Sequence, residues 1–342
     1  MIKGKNILIT GVCGTIGARL TKELLNNKEY NIKSLIGLDH NENEIFFIDQ
    51  KYSKDPRCDF FVTNVRDRDE LVSRMCGVDV VFHLAAIKHV VHSERSPEQA
   101  IYTNIHGVQN IIYAAKKNNV KIVVFSSSDK AVNPTNVMGT SKLMGERLIT
   151  SANSHKEQSG TIFISTRFGN VLGSNGSVVP IFYNQISNEM KLTLTDENMT
   201  RFIMSESDAV NLLISSSLQG RGGEVFVTKM PVIRIKDLAI AMIEELAPKF
   251  NKNPESIEII EIGAKPGEKL YEELMSTEEV RRSVELEQFY SVLPAFRDAY
   301  DNISYNYKNI KNAIVSDPYI SSEQPLLTVK EIKAFLNKNG LI

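Results

Sequence analysis

The stretch from Asn6 to Leu25 constrains this chain more than any other. Asn6-Ile7-Leu8-Ile9-Thr10 is an apolar run of strand length, Gly11-Val12-Cys13-Gly14-Thr15-Ile16-Gly17 comes at once after it, and Ala18 to Leu25 has the pattern of an amphipathic helix. A strand that feeds a helix through three glycines needs a tight turn and a backbone that something can approach closely. Amides at the start of such a helix face an anion, and a pyrophosphate is the anion that fits. A glycine triplet in GxxGxxG spacing also occurs in plain turns, but the strand before it and the helix after it favour a dinucleotide cradle of Gly11, Gly14, Thr15, Ile16 and Gly17.

A dinucleotide cradle makes demands on the strands beyond it. A second strand, from Ile32 to Leu38, ends at Asp39, about 20 residues beyond the last glycine, where a doubly wound fold places an acid on the adenosine ribose hydroxyls. An acid there repels a 2'-phosphate, so NAD is favoured over NADP. Asp39 could also cap the helix that Asn41-Glu42-Asn43-Glu44 begins. Phe60-Phe61-Val62 is a third strand, and the turn after it offers Asn64 and Val65 to an adenine edge. A fourth strand, from Val78 to Leu84, exits into Ala85 and Ala86, small enough to let the backbone pass beneath a cofactor. Lys88 and His89 then read as a solvated loop pair or as a phosphate or sugar contact. The helical pattern from Pro97 to Lys117 puts Asn104 on its buried side, where the amide must find partners, and a tether to nearby backbone is its simpler role.

The apolar run from Lys121 to Phe125 leads into Ser126-Ser127-Ser128-Asp129-Lys130-Ala131-Val132-Asn133-Pro134 and on to Met138-Gly139-Thr140-Ser141-Lys142, ahead of helical residues from Leu143 to Ile149. An acid beside a base at the carboxyl end of a strand is where an open α/β sheet places chemistry. A sixth strand, from Thr161 to Arg167, precedes a loop rich in Gly, Ser and Asn that reaches Ser177. Such a loop offers amides to an anion or is ordinary surface. Beyond it the alternation loosens. Leu192 to Thr195, Thr200-Arg201-Phe202 and Pro231 to Leu274 suggest a second lobe, while Ala209 to Leu218 and Glu224 to Thr228 return to the sheet. The expected fold is a Rossmann-type doubly wound parallel α/β sheet, residues 1–172 with 203–229. A smaller discontinuous C-terminal substrate lobe takes 173–202 and 230–342, ending in a helix capped by Thr328.

With 342 residues, 42% of them apolar, the chain can bury a core of this size, and a net charge of -1 gives no bulk attraction to nucleic acid or an anionic membrane. Three cysteines, Cys13, Cys58 and Cys76, and six histidines show no metal-ligand spacing, so neither a metal nor a disulfide framework is expected. No leader pattern opens the sequence, and no run approaches the roughly 18 apolar residues of a spanning helix. A cytoplasmic protein is the expectation.

Gly11, Gly14 and Gly17 with Asp39, Asn104, Ser128, position 138 and Lys142 resemble the extended short-chain dehydrogenase/reductase superfamily. Six further blocks resemble its UDP-N-acetylglucosamine 4,6-dehydratases: Ala85 to Val90, Ser127 to Pro134, Arg167 to Val171, Gly173 to Ser177, Met199 to Phe202 and Pro266 to Lys269. The resemblance implies a tightly held and recycled NAD, with Asn104 and Lys142 in its site, a UDP-sugar substrate and a homo-oligomer. It implies that C4 of the sugar is oxidised, water is lost across C5 and C6, and hydride returns to C6. Asp129 would be the acid at the C6 oxygen and Lys130 the base at C5, with desolvation needed to bring both toward neutrality against their mutual attraction. The resemblance places Lys88, His89, Asn170, Ser177, Val178, Arg201 and Glu268 on the substrate, with Asn170, Ser177, Arg201 and Glu268 at its nucleotide end. For Arg201, a cation for the pyrophosphate competes with an interdomain ion pair.

The sequence departs from the superfamily at Met138, where a tyrosine four residues before the lysine is usual. A thioether cannot accept the C4 hydroxyl proton, which leaves that step to a water held by Ser128 and the Asp129-Lys130 pair. Some dehydratases of this kind also carry Met there. Two rivals remain: a UDP-hexose 4-epimerase, which would need the tyrosine, and a non-catalytic NAD-sensing regulator, which would not need Asp129, Lys130 and Lys142.

Overall fold

Six short strands in the first half of the chain each carry an apolar run, as strands covered by helices on both faces do. They are β1 (Asn6–Thr10), β2 (Ser34–Asp39), β3 (Cys58–Val62), β4 (Val80–His83), β5 (Ile122–Ser128) and β6 (Ile162–Phe168). The computed structural model describes residues 2–154, 160–174, 176–188, 191–264, 267–296, 300 and 303–342. Asn175, Lys265 and Pro266, which belong to the loop and turn motifs of the sequence, lie outside the described residues.

The six strands pair in parallel in the order β3-β2-β1-β4-β5-β6. The winding direction reverses between β1 and β4, which opens a crevice at their carboxyl ends, the place where such sheets bind ligands. Alternation along β1 sends Ile7 and Ile9 to one face, with Leu20, Leu24 and Leu213, and Leu8 to the other, with Val81, Val108 and Ile111. Val225–Thr228 joins in parallel beside β6, as the sequence suggested.

The sheet then continues further than expected. Phe289–Val292, Ser283–Leu286 and Ile310–Asn312 add in antiparallel fashion and bring it to ten strands. Residues 230–342 therefore do not all stand apart from the main sheet. The physical reason is the open edge of Val225–Thr228: Phe289, Val292 and Leu286 are buried as their strands cover it. A separate core gathers Ile186, Leu192, Leu238, Met242, Ile332 and Leu336. Its last two residues come from the helix Val329–Lys338, whose N-cap Thr328 forms a capping box with Glu331. Among the described residues no helix is long and apolar enough to cross a membrane.

The helical stretch after Pro97 is also less regular than its pattern. Ile101–His106 is π-helical between Pro97–Ala100 and Gly107–Lys117. Asn104 sits in the widened turn: its Oδ1 accepts from Ile87 N at 2.9 Å, and its Nδ2 donates to Ile87 O and to Ser141 Oγ, both at 2.9 Å. The amide is a tether, holding the strand exit after β4 against the helix that carries Lys142.

One buried cluster joins these parts. Arg167, 1% exposed on β6, donates to Glu146 on the helix Val137–Ser151 at 2.8 Å and to Glu279 on Thr277–Val280 at 2.7 Å. It also donates to Leu274 O at 2.9 Å. Burial alone would raise the Glu279 carboxyl; the Arg167 charge and its hydrogen bonds overcome this and pull it down to about 2. The stabilisation is therefore complete above the unfolded carboxyl value of about 4.3 and is lost as pH falls toward 2. Glu279→Gln should cost about 3 kcal/mol at neutral pH and remove part of the acid sensitivity between pH of about 4.5 and 2, read by denaturant unfolding across that range.

Candidate active site

The cradle is closed by contacts that exclude side chains. Gly11 has φ +69°, and a Cβ there would lie 2.8 Å from Ala85 N; at Gly17 it would lie 2.3 Å from Gly11 O. Gly14 donates to Gly11 O at 3.1 Å and precedes the helix Thr15–Asn26 without a side-chain cap. No side-chain oxygen caps this helix, so its first-turn amides, Thr15 and Ile16 included, are left to the crevice. Asp39 ends β2 and accepts from Cys13 N at 3.2 Å and from Asn41 N at 3.1 Å. The helix after it is capped by Asn41, not Asp39, because Asn41 accepts from Glu44 N. Burial, then the Asp39 charge, push the Cys13 thiol up to about 12.

On the other side of the crevice, Thr10 Oγ1 accepts from Leu84 N at 3.2 Å and Ala85 N at 3.3 Å, which leaves its proton for His83 Nδ1 at 2.7 Å. This fixes the exit that carries Ala85 and Ala86. Asn64 is exposed and turns its Oδ1 to Arg66 N at 3.0 Å, while Val65 is buried and gives its carbonyl to Asn110.

Beyond β5 the chain tightens into a short turn, Asp129–Ala131, capped by Ser128. Asp129 is 0% exposed. Its Oδ1 accepts from Ser128 Oγ, from Lys130 N at 2.8 Å and from Lys130 Nζ at 3.0 Å. Its Oδ2 is buried with no hydrogen-bond partner among the described residues. Lys130 Nζ also lies 3.4 Å from Asn170 Oδ1 and 3.4 Å from Glu272 Oε1. Burial by itself would lower the Lys130 ammonium; the Asp129 and Glu272 carboxylates outweigh it and hold it above its usual value. Desolvation and the attraction between the two groups were expected to oppose each other, and here the attraction prevails.

Met138 is 4% exposed, and Ser141 ties its carbonyl to Asn104. Lys142 Nζ donates to Ser126 O at 2.7 Å and lies 4.8 Å from the Phe125 ring centre. Burial lowers its ammonium to about 8, with Glu146 pulling the other way. Gly139 presses this helix onto the acid–base turn: a Cβ there would lie 2.2 Å from Lys130 O.

A cavity of about 440 Å³ opens over the turn, lined among others by His89, Lys130, Asn170, Arg201, Glu268 and Glu272. Asn170 was expected at the nucleotide end but sits beside Lys130. Lys88, Ser177 and Val178 do not line the cavity; Lys88 is exposed next to His89, and Val178 opens the helix Val178–Asn188. Arg201 donates to Thr200 O and Lys269 O, both at 2.8 Å, and lies 3.8 Å from Glu268 and 3.7 Å from Glu272. Arg201 is thus buried in ion pairs within its own lobe, neither at the surface nor between domains, and it faces the cavity. Residues 267–273 clasp the turn's continuation: Lys269 Nζ donates to Val132 O at 2.9 Å, and Thr135 and Asn136 both donate to Gly267 O at 3.0 Å.

Glu272 is the residue that motif reading missed. It stands two positions before the buried Leu274 in an extended segment, so period-2 alternation puts it on the buried side. That signal was in the sequence.

A family profile described as polysaccharide biosynthesis protein matches residues 7–294. The chain belongs to that family. It is 45% identical over 96% of both chains to an uncharacterised membrane protein of Methanocaldococcus jannaschii. It is 38% identical to a UDP-N-acetylglucosamine 4,6-dehydratase (inverting) of Campylobacter jejuni, over 98% of both chains. It is 36% identical to a UDP-glucose 4-epimerase of Rickettsia canadensis, over 98% of this chain and 96% of that one. Among solved structures, Pen from Bacillus thuringiensis superposes with a TM-score of 0.91 at 38% identity, covering 100% of this chain and 99% of that one. The dTDP-glucose 4,6-dehydratase DesIV of Streptomyces venezuelae, solved with NAD, shares the fold with a TM-score of 0.68 at 21% identity over 77% of this chain and 86% of that one. This family member is an enzyme of the nucleotide-sugar dehydratase and epimerase kind on a Rossmann-type fold.

Gly139→Ala should displace the acid–base turn, costing about 2 kcal/mol in denaturant unfolding. Its turnover should fall even where the protein remains folded.

Proposed function

We propose that this protein is a UDP-N-acetylglucosamine 4,6-dehydratase that uses NAD. The observation that carries the reading is the hydrogen bond from Ser128 Oγ to Asp129 Oδ1 within a turn whose next residue is Lys130. It supplies a proton path that needs no tyrosine at position 138.

The cradle fits the dinucleotide. Gly11 and Gly17 leave room only for backbone beneath a pyrophosphate, the amides of Thr15 and Ile16 face it, and Asp39 stands where the adenosine ribose belongs and repels a 2'-phosphate. Ala85, Ala86 and Asn104 form its floor, Asn64 and Val65 flank the adenine, and Lys142 holds the nicotinamide ribose. NAD, when bound, supplies the hydride acceptor at C4 and the hydride donor at C6.

The chain's own groups move the protons. Ser128 Oγ passes its proton to Asp129 and takes the one on the C4 hydroxyl, so that the C4–O bond can become a carbonyl. Asp129, now a carboxylic acid, gives that proton to the C6 oxygen as the C6–O bond breaks. The proton lost at C4 thus leaves in the water released, and Asp129 returns to its starting form. This replaces the bound water that the sequence suggested with a direct serine relay. Lys130 takes the C5 proton as an amine, mixes it with the exchangeable hydrogens of its ammonium, and returns one of these to C5. Arg201 contributes a cation near the substrate diphosphate, and His89, Asn170 and Glu268 line the cavity around the remaining sugar nucleotide, while Lys88, Ser177 and Val178, expected there, stand outside that lining.

The Rickettsia relative supports a second reading, a 4-epimerase in which C4 is oxidised and reduced and the 6-hydroxyl stays. One sample separates the two. Purified protein with UDP-N-acetylglucosamine in deuterated water should give a 4-keto-6-deoxy sugar deuterated at C5, seen by NMR; a 4-epimer that keeps its 6-hydroxyl would overturn the dehydratase reading. Asp129→Asn should lower turnover about 10³-fold, and it should slow C4 oxidation as well as water loss, because one carboxylate serves both.

A further inference from the structure

Lys130 can take the C5 proton only as a free amine, yet its surroundings hold it as an ammonium. The group that can relieve it is Glu272. This carboxylate is 2% exposed, lines the cavity, and places Oε1 at 3.4 Å from Lys130 Nζ. Its Oε2 is buried and has no hydrogen-bond partner among the described residues. The backbone around it is fixed, since Glu272 N donates to Ser321 Oγ and Ser321 N to Glu272 O, both at 2.9 Å.

The charges facing Glu272 come from three elements. Lys130 and Asp129 belong to the turn after β5, Arg201 to Thr200–Met204, and Lys269 to the segment of Glu272 itself. Glu268 balances Arg201 at 3.8 Å, while the neighbouring Glu273 turns away to Asn133 at 2.7 Å and Lys269 at 3.5 Å. Burial raises the Glu272 carboxyl, against the pull of Lys130, and the Asp129 charge raises it further. A raised carboxyl 3.4 Å from a lysine is a suitable resting place for the lysine's proton.

We propose that Glu272 is a positioning residue that accepts a proton from Lys130 and so generates the amine that acts at C5. The step balances without any further reactant. An Nζ–H bond of Lys130 breaks and an O–H bond forms on Glu272; the neutral amine takes the C5 proton while the C5–H electron pair moves toward the C4 carbonyl. After water loss and hydride return, Lys130 gives its proton to C5 and recovers the one on Glu272. Because the proton stays within the pair, the step does not depend on hydroxide. The inference rests on the dehydratase reading only for its kinetic consequence.

Two measurements test it. In ligand-free protein labelled with ¹³Cε-lysine, with the Lys130 resonance assigned by its loss in Lys130→Ala, the midpoint for Lys130 should fall by about one pH unit in Glu272→Gln, since a facing negative charge is gone. An unchanged midpoint would overturn the pairing. With UDP-N-acetylglucosamine, wild-type water release should show no step from pH of about 6 to 9 other than that of Lys142 near about 8, which every variant shares. Glu272→Gln should be about 100-fold slower at pH 7 and recover by about tenfold per pH unit, because Lys130 must then lose its proton to solvent. Glu272→Asp, which keeps a carboxylate, should retain the wild-type profile at reduced rate. An equal loss at every pH in Glu272→Gln, or a Glu272→Asp profile like that of Glu272→Gln, would sink the proposal. If the wild-type protein released no water, the reaction reading would fail while the Lys130 titration still decided the pairing.

Discussion

Everything around the acid–base turn depends on a charge the fold has buried at some expense. Arg167 lies under the sheet's carboxyl edge with no solvent to share its charge, and two glutamates from opposite directions satisfy it. Burying such a triad is seldom more stabilising than burying well-packed hydrocarbon, whereas breaking it leaves an uncompensated charge. Its value here is geometric. Glu146 belongs to the helix that presents Lys142, and Glu279 comes just after the segment that presents Glu272, so one guanidinium sets the distance between the two halves of the site.

Within that frame the chemistry reduces to a shared stock of protons. Met138 stands where the resemblance places a tyrosine, and in the proposed function Ser128 and Asp129 take over its part. Ser128 and Asp129 form one donor–acceptor pair and Lys130 and Glu272 a second, with Lys130 bridging the two carboxylates. The two carboxylates and the two cations, Lys130 and Arg201, cancel among themselves. Such a set can shift protons among its members without importing one from water, which matters in a site where Asp129 has no exposure at all.

Much of this was legible in the sequence because it is local. The glycine spacing, the apolar strands and the Asp129-Lys130 turn are each written in consecutive residues. What escaped was long-range pairing. The strands from Ser283 to Asn312 are short and interrupted by polar residues, and only the exposed edge of Val225–Thr228 explains why they join the main sheet. The π-helical turn at Ile101–His106 is equally silent in a helical pattern, since what accompanies it is the bond of Asn104 to Ile87. Glu272 escaped for a different reason: its burial could be read from its neighbours, but its partner lies on a turn far away in the chain.

The return of Ser283–Leu286, Phe289–Val292 and Ile310–Asn312 to the main sheet bears on how such a protein can be remodelled. A substrate lobe hung from a nucleotide-binding unit by simple linkers could be exchanged as a cassette, and new sugar specificities could arise by recombination. Here the chain that builds the cavity wall at Glu268 and Glu272 goes on to close the edge of the sheet before it reaches the terminal helix. Specificity and sheet integrity are threaded on one strand of chain. New preferences are therefore more accessible through single substitutions along the wall than through wholesale exchange of the lobe.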